Sequence, residues 1–231
     1  MNENTIQLDN PLTQLGFETD SLILPGQMGA ICARAGIGKT SFLVQVGLFA
    51  MARGQKVLHI SLDEPVNKIN LWYREVFNLM APKNDIKRVN QAWDTILPNR
   101  LIMTLKLDGF SVPRLEERLA DMIEQNIFKP ETLVIDSFPF DTCDRSLLKD
   151  LKILAEKMGM NVWFSVTTHR HEQPDQDGYP VQLSGMSDLF NVLFQMVPEN
   201  KTVNLQIFKG QVDKEKSKPL FIDTDTMLIY A

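Results

Sequence analysis

One stretch constrains this chain more than any other: GAICARAGIGKTS, which spans residues 29–41. An apolar run over residues 28–33 leads into it, and an apolar helical pattern over residues 42–51 follows it. This order predicts a strand, a tight glycine turn and a helix that opens with Lys39 and Thr40. Glycines allow backbone N–H groups to turn inward, and the helix N-terminus and the lysine add positive potential. The stretch therefore predicts a site for a phosphate group.

The match to the phosphate-loop pattern G-x-x-x-x-G-K-[ST] has one departure, because Ala33 occupies the position of the first glycine. The alternative is a chance Gly-Lys-Thr in an ordinary strand–helix turn, but the flanking strand and helix favour the loop. In such loops the lysine reaches the β- and γ-phosphates of a nucleoside triphosphate, and the threonine hydroxyl holds Mg²⁺. The predicted nucleotide-binding residues of the loop are Ala35, Gly36, Ile37, Gly38, Lys39, Thr40 and Ser41.

Length and charge limit the classes of protein to consider. A chain of 231 residues fits a single domain over residues 1–231, in which residues 1–25 are a polar lead expected to pack on the surface. The net charge of −5 gives no global attraction to nucleic acid or to an anionic membrane. The N-terminus lacks a signal-peptide pattern, and no apolar run reaches membrane-spanning length. With two cysteines expected to stay as thiols, we predict a cytoplasmic protein without a membrane partner.

Apolar runs that fit strands alternate along the chain with amphipathic stretches that fit helices. We predict helices over residues 40–53, 66–80, 85–96, 112–126 and 146–158, and a polar loop without a packing signal over residues 169–187. We predict strands over residues 28–33, 56–62, 101–105, 132–135, 161–167, 189–196, 203–208 and 220–230, the last with a turn near 223–225. This alternation predicts an α/β fold, in which a mainly parallel central sheet has helices on both faces and an antiparallel C-terminal extension.

Polar residues follow several of the predicted strands. The phosphate loop, the pair Asp63–Glu64, Asp136 and residues 167–169 each stand at the carboxyl end of a strand. Ligands of parallel sheets bind outside the carboxyl ends of the strands. We therefore expect these groups to converge on one edge of the sheet.

Four segments together resemble the RecA superfamily of P-loop ATPases, in particular its KaiC-like and DnaB-helicase-like branches, over roughly residues 12–210. ARAGIGKTSF is similar to the phosphate loop of that superfamily, and DnaB-type helicases also tend to have alanine at its first position. KVLHISLDEP resembles the strand that ends in the catalytic carboxylate of that superfamily, and TLVIDSF resembles its Walker B strand. IFKGQ resembles the strand that ends in the pattern K-x-R. The resemblance implies a RecA-like core that binds ATP and Mg²⁺ and hydrolyses ATP at a subunit interface. It implies a homo-oligomer, for which a hexameric ring is one form.

Three carboxylates carry the predicted chemistry. Asp136 ends an apolar strand and can hold Mg²⁺ together with Thr40; the alternative is an aspartate that caps the next turn. Asp63 and Glu64 are candidates to orient and activate the attacking water, and we favour Glu64 because its side chain reaches further. The alternative for both is an N-cap of the following helix.

The remaining site residues follow from the resemblance. Thr168 and His169 stand where the superfamily has a γ-phosphate sensor, although His169 can equally be a solvated loop histidine. A metal site at His169 and His171 is weakly supported, because no cysteine lies nearby. Arg74 stands near the position of an arginine that lies against the adenine.

Lys209 corresponds to the lysine of K-x-R, which reaches the γ-phosphate of a neighbouring subunit; it can also be a plain strand-end lysine. Gln211 replaces the arginine of that pattern. The loss removes positive charge from the transition state. Either Arg170 or Arg145 substitutes for it, or hydrolysis is slow, or the assembly is not a hexameric motor.

Three functions remain open. The first is an ATPase that uses its nucleotide state to drive a change in conformation or assembly. The second is a nucleic-acid motor, a helicase or a recombination or replication factor, but the acidic residues of the 169–187 loop are poor for binding a phosphate backbone. The third is a regulatory nucleotide-binding scaffold with weak hydrolysis, acting on an unknown protein partner.

Overall fold

The computed structural model describes residues 8, 10–17, 22–81, 85–106, 110–199, 202–213, 215 and 217–231. Within these residues five α-helices alternate with strands of one sheet. The helices are α1 (Lys39–Ala52), α2 (Val66–Met80), α3 (Ile86–Ile96), α4 (Val112–Glu124) and α5 (Arg145–Met158). The strands are β1 (Met28–Ala33), β2 (Val57–Ser61), β3 (Arg100–Thr104), β4 (Thr132–Asp136), β5 (Asn161–Thr167), β6 (Val192–Glu199), β7 (Thr202–Lys209), β8 (Leu220–Asp223) and β9 (Ile229–Tyr230).

The described strands form one sheet in the order β3-β2-β4-β5-β1-β6-β7-β8-β9. The first six strands in that order pair in parallel, and β7, β8 and β9 continue antiparallel. Parallel strands require a crossover connection, and here helices supply most of them. The predicted α/β class, parallel sheet and antiparallel C-terminal extension are confirmed.

Both faces of the sheet are covered, which is why its central strands are mostly apolar. Every residue of β1 and of β4 is buried. Side chains alternate between faces, so that in β2 Val57 packs with α1, α2 and α3 while Leu58 packs with α4 and α5. The two hydrophobic clusters therefore lie on opposite faces of one sheet.

The connection from β5 to β6 differs from the prediction. The polar composition of residues 169–187 predicts a loop without packing, but Leu183 and Met186 are buried in the cluster that contains α4 and α5. Short 3₁₀ turns cover Val181–Leu183 and Ser187–Leu189, so β6 begins at Val192 and not at residue 189. The prediction was wrong because scattered apolar residues carry no period, although a crossover between parallel strands must cover the sheet face.

The segment before β1 contributes to the core, whereas we expected it on the surface. A 3₁₀ turn over Pro11–Leu15 buries Leu12 and Leu15 in the cluster that contains α1. Residues 1–7, 9 and 18–21 of the predicted lead lie outside the described residues. In the described part of the chain no helix combines the length and the apolar character needed to cross a bilayer.

Candidate functional site

The turn between β1 and α1 is the segment for which the sequence predicts a phosphate loop, and it is called the phosphate loop below. Gly36 and Gly38 have φ angles of 79° and 102°, a region that glycine adopts at little cost. Gly38 directly precedes α1, so the first N–H groups of the helix face the turn. Lys39 opens the helix, and its Nζ donates a 3.1 Å hydrogen bond to the carbonyl of Arg34. The ammonium group therefore reaches back across the turn to the residue that follows β1.

The end of β4 comes next to this loop. Thr40 Oγ1 donates a 2.8 Å hydrogen bond to Asp136 Oδ2. The other carboxylate oxygen, Oδ1, accepts a hydrogen bond from the Ser165 hydroxyl at 2.5 Å and from the Ser137 N–H at 3.0 Å. Asp136 is buried, and these contacts fix the direction of its carboxylate. The predicted partners Thr40 and Asp136 are therefore in contact.

This pair fits a magnesium ion that also binds nucleotide phosphates. Mg²⁺ in such sites takes one or two carboxylates, a hydroxyl, phosphate oxygens and water. The hydroxyl of Thr40 and the carboxylate of Asp136 are that donor set. Among the described residues no group of three or more His, Cys, Asp or Glu side chains forms a self-contained metal site. The pair can thus hold the ion only together with other oxygen donors, which a bound triphosphate would provide.

Burial lowers the pKa of Lys39, while the nearby charge of Asp136 raises it in part. Desolvation disfavours the charged ammonium, and a bound anion would restore the lost interaction. The attraction between Lys39 and a bound phosphate is therefore stronger here than it would be for an exposed lysine.

Asp63 and Glu64 follow β2 after one intervening residue, Leu62, at the same edge of the sheet as the phosphate loop. Neither side chain caps α2: the N-cap residue is Pro65, without a side-chain cap hydrogen bond, which removes the alternative that we considered for both. Glu64 forms a 2.5 Å ion pair with Lys68, whereas Asp63 is exposed. The backbone N–H of Glu64 donates to the Ser61 hydroxyl at 2.9 Å, which holds the turn against the end of β2.

Thr168 and His169 follow β5 at this edge. The N–H of Thr168 donates a 3.0 Å hydrogen bond to the carbonyl of Ala33, so the end of β5 lies directly beside the start of the phosphate loop. His169 Nε2 is 3.1 Å from Asp141 Oδ2. The histidine is therefore paired with a carboxylate of the β4–α5 connection and is not an unpartnered loop residue.

Lys209 lies away from the phosphate loop of its own chain. It pairs with Leu193 of β6, which pairs with Ala30 of β1, three residues before the loop begins. Three residues correspond to about 10 Å along a strand, and β7 runs towards the opposite edge. Its Nζ donates a 2.9 Å hydrogen bond to the carbonyl of Ser187, and burial lowers its pKa. Lys209 and Gln211 thus do not join the site of their own chain.

Two arginines that the sequence analysis named as candidate site residues contact other parts of the chain. Arg145 forms two hydrogen bonds to the carboxylate of Asp188, at 2.5 and 2.7 Å. Arg74 donates to Asn90 Oδ1, and its guanidinium carbon lies 5.1 Å from the centre of the Trp93 ring. Arg74 therefore contacts α3, and its role against an adenine stays a prediction.

Sequence reasoning missed two polar residues that organise the site. Ser165 is a polar residue within the otherwise apolar run of residues 162–166, and that position was the available signal. Gln45 is buried in α1: its Nε2 donates to the carbonyl of Met227 at 2.9 Å, and its Oε1 accepts from the N–H of Ile229 at 2.9 Å. Ser41 donates to the same Met227 carbonyl at 3.1 Å. These bonds attach the C-terminal hairpin to the helix that carries the phosphate loop.

Comparison with known proteins does not extend these observations: no protein-family model matches the chain, and no curated protein sequence matches it significantly.

Proposed function

We propose that this chain is a RecA-like ATPase, which binds ATP with Mg²⁺ at the phosphate loop, hydrolyses it, and uses its nucleotide state to drive a change in conformation or assembly. The observation that carries the proposal is the 2.8 Å contact between Thr40 and Asp136. It joins a glycine turn at a helix N-terminus to a buried carboxylate at the end of a neighbouring parallel strand. Each part is common alone, but their contact is what a magnesium–triphosphate site requires.

The residues of the site have distinct roles in this proposal. Backbone N–H groups of residues 36–40 bind the phosphate oxygens, and Lys39 neutralises their charge. Thr40 and Asp136 would hold Mg²⁺, which would supply positive charge to the bound phosphates. Glu64 orients the attacking water and accepts its proton, for which it must leave its ion pair with Lys68. Asp63 is the alternative carboxylate.

The topology supports a RecA-like core in an assembly of identical subunits. The parallel strands bring the ends of β1, β2, β4 and β5 to one edge. Lys209 lies too far along β7 to serve its own chain, which suits a contribution to a neighbouring subunit. A homo-oligomer, in a ring or otherwise, would place such a residue at the interface.

ATP turnover and particle size, measured together, test this function. Turnover by purified protein, measured with and without single-stranded DNA, should not depend on DNA, and light scattering should detect a change of particle size on adding ATP. Strong stimulation by DNA would instead favour a nucleic-acid motor. ATP binding without turnover would leave a nucleotide-binding scaffold.

A further inference from the structure

A groove of about 250 Å³ lies at the ends of β1 and β5, where Gln195 from the middle of β6 also lines it. We call it the edge groove. Its lining includes Arg34, Thr168, His169, Arg170, Gln195 and Phe208. Arg34 also belongs to the turn between β1 and α1, so the groove adjoins the loop at that residue.

Arg34 is fixed next to the phosphate loop by its backbone. It follows Ala33, the last residue of β1, whose carbonyl accepts from Thr168. Its own carbonyl accepts the hydrogen bond from Lys39 Nζ. The residue thus lies between the lysine of the loop and the end of β5, and its side chain is exposed at the edge groove.

Neither Arg34 nor Arg170 has a side-chain hydrogen bond or ion pair within the part of the chain that the structure describes. Arg145 differs, because Asp188 and the carbonyl of Gly185 occupy its guanidinium. Two unpartnered guanidinium groups that line one groove form a site for an anion.

Among the described residues, the acidic residues nearby form no ion pair with either arginine. Glu172, which lines the groove, accepts a hydrogen bond from Gln182, a buried side chain. Gln182 also donates to Asp141 at 3.2 Å, and Asp141 is paired with His169. These contacts join the β4–α5 connection to the β5–β6 crossover, and the printed partners of the two carboxylates are Gln182 and His169, not Arg34 or Arg170.

We propose that Arg34 and Arg170 contact the γ-phosphate of ATP bound to the same chain. Gln211 stands in place of the arginine of K-x-R and has no positive charge to offer a neighbouring subunit. Arg34 and Arg170 instead supply positive charge from the chain that binds the ATP. Guanidinium groups bind phosphate oxygens in pairs of parallel hydrogen bonds, and an arginine supplied in cis stabilises phosphoryl transfer in other phosphate-loop enzymes. This inference rests on the proposed function, since it requires ATP in the loop.

In hydrolysis the water oxygen bonds to the γ-phosphorus, the bond from that phosphorus to the bridging oxygen breaks, and ADP leaves with the electron pair. The proton of the water passes to a carboxylate at the end of β2. The arginines form no covalent bond in this reaction. They act on the charge of the γ-phosphate oxygens, both in the bound state and in the transition state.

The preference for a triphosphate over a diphosphate tests this inference without relying on turnover. Dissociation constants of Mg–ADP and of Mg with a non-hydrolysable ATP analogue are measured for wild type, Arg34→Ala, Arg170→Ala and the double variant. A charge-assisted contact is worth about tenfold in affinity, so each single variant should lose roughly tenfold in binding the analogue and little in binding ADP. Arg118→Ala removes an exposed positive charge from α4 and should change neither constant. Arg34→Lys should restore part of the preference if folding of the loop is intact.

Mixed subunits separate a contribution in cis from one in trans. The double variant is mixed with Lys39→Ala protein, which keeps both arginines but should not bind nucleotide. If the arginines act in cis, the preference of the double variant for the ATP analogue over ADP should stay low in the mixture. A restored preference would overturn the inference in favour of a neighbour's arginine, and an unchanged preference in all arginine variants would overturn it outright. If wild type binds neither nucleotide, the proposed function itself fails, and the inference with it.

Discussion

Thr40 and Asp136 are 96 positions apart in sequence, yet the threonine hydroxyl donates a 2.8 Å hydrogen bond to the aspartate carboxylate. The contact joins the first turn of α1 to the end of β4. It depends on the parallel sheet, because β4 and β1 both pair with β5 and end at the same edge. Ser165 of β5, which lies between them, holds the second carboxylate oxygen. The sheet thus places a hydroxyl and a carboxylate where one magnesium ion could bind both.

Replacing this carboxylate should separate magnesium binding from phosphate binding. In Asp136→Asn the amide retains an acceptor for Ser165 but loses the negative charge that favours a divalent cation. We expect the affinity for Mg–ATP to fall roughly 10- to 100-fold, while affinity for ATP in excess EDTA changes little. Isothermal titration calorimetry with and without Mg²⁺ measures both. Asp150→Asn, an exposed change on α5, is the matched control and should behave as wild type.

The two carboxylates after β2 can be distinguished by separating binding from turnover. Glu64→Gln should keep nucleotide binding and lose hydrolysis, because the amide cannot accept a proton from water. Lys68→Met removes the partner of Glu64 and should leave hydrolysis in place or raise it. If Asp63→Asn abolishes turnover and Glu64→Gln does not, the choice of Glu64 is wrong.

The two glycines of the loop should differ in their tolerance of a side chain. Both have positive φ, so Gly36→Ala and Gly38→Ala each carry a backbone cost of about 1–2 kcal/mol. A Cβ at residue 36 meets no described atom within 4 Å, whereas one at residue 38 would lie 3.1 Å from Met227 Sδ. We expect Gly38→Ala to lower the free energy of unfolding more than Gly36→Ala, as measured by urea titration. Equal losses would contradict the packing of Met227 against the loop.

A buried histidine should make the fold sensitive to acid. His59 is fully buried, with Nδ1 3.1 Å from the Tyr73 hydroxyl and with no partner for Nε2 among the described residues. Burial lowers its pKa from 6.5 to about 4; Arg100 adds to the lowering and Asp136 opposes it. The unfolded chain therefore binds more protons between these values, so stability decreases as the pH falls from about 6.5 towards 4.

The shift corresponds to about 3 kcal/mol of unfolding free energy across that window. Urea titrations at pH 7.0, 5.5 and 4.5 measure the decrease in wild type. His59→Gln removes the titrating group and should reduce the dependence on pH, whatever its stability at pH 7.0. The same slope in both proteins would show that other groups cause the acid sensitivity.

Local patterns in the sequence predicted much of this fold. The sequence patterns of β1, β4 and α4 are each typical of one kind of element: a buried strand for the two apolar runs and a helix for the amphipathic pattern. Their predicted bounds differ from the structure by at most two residues. The chemistry at strand ends could also be predicted, because a parallel sheet brings those ends to one edge.

What could not be predicted depends on contacts between distant residues. The burial of Leu183 follows from the need to cover a sheet face and not from any period in its own segment. In the sequence Gln45 is only a polar residue within an apolar helix. Its hydrogen-bond partners belong to the C-terminal hairpin, which is distant in sequence. The engagement of Arg145 by Asp188 is likewise visible only in three dimensions.

Binding of ATP by the loop around Lys39 can be measured directly by titration. Mg–ATP is titrated into wild type, into Lys39→Ala and into Lys149→Ala, which removes an exposed lysine of α5, with thermal unfolding of each protein as a check on folding. We expect saturable binding by wild type and Lys149→Ala, and loss of binding in a folded Lys39→Ala. Binding of equal affinity by Lys39→Ala, or no binding by wild type, would contradict this expectation.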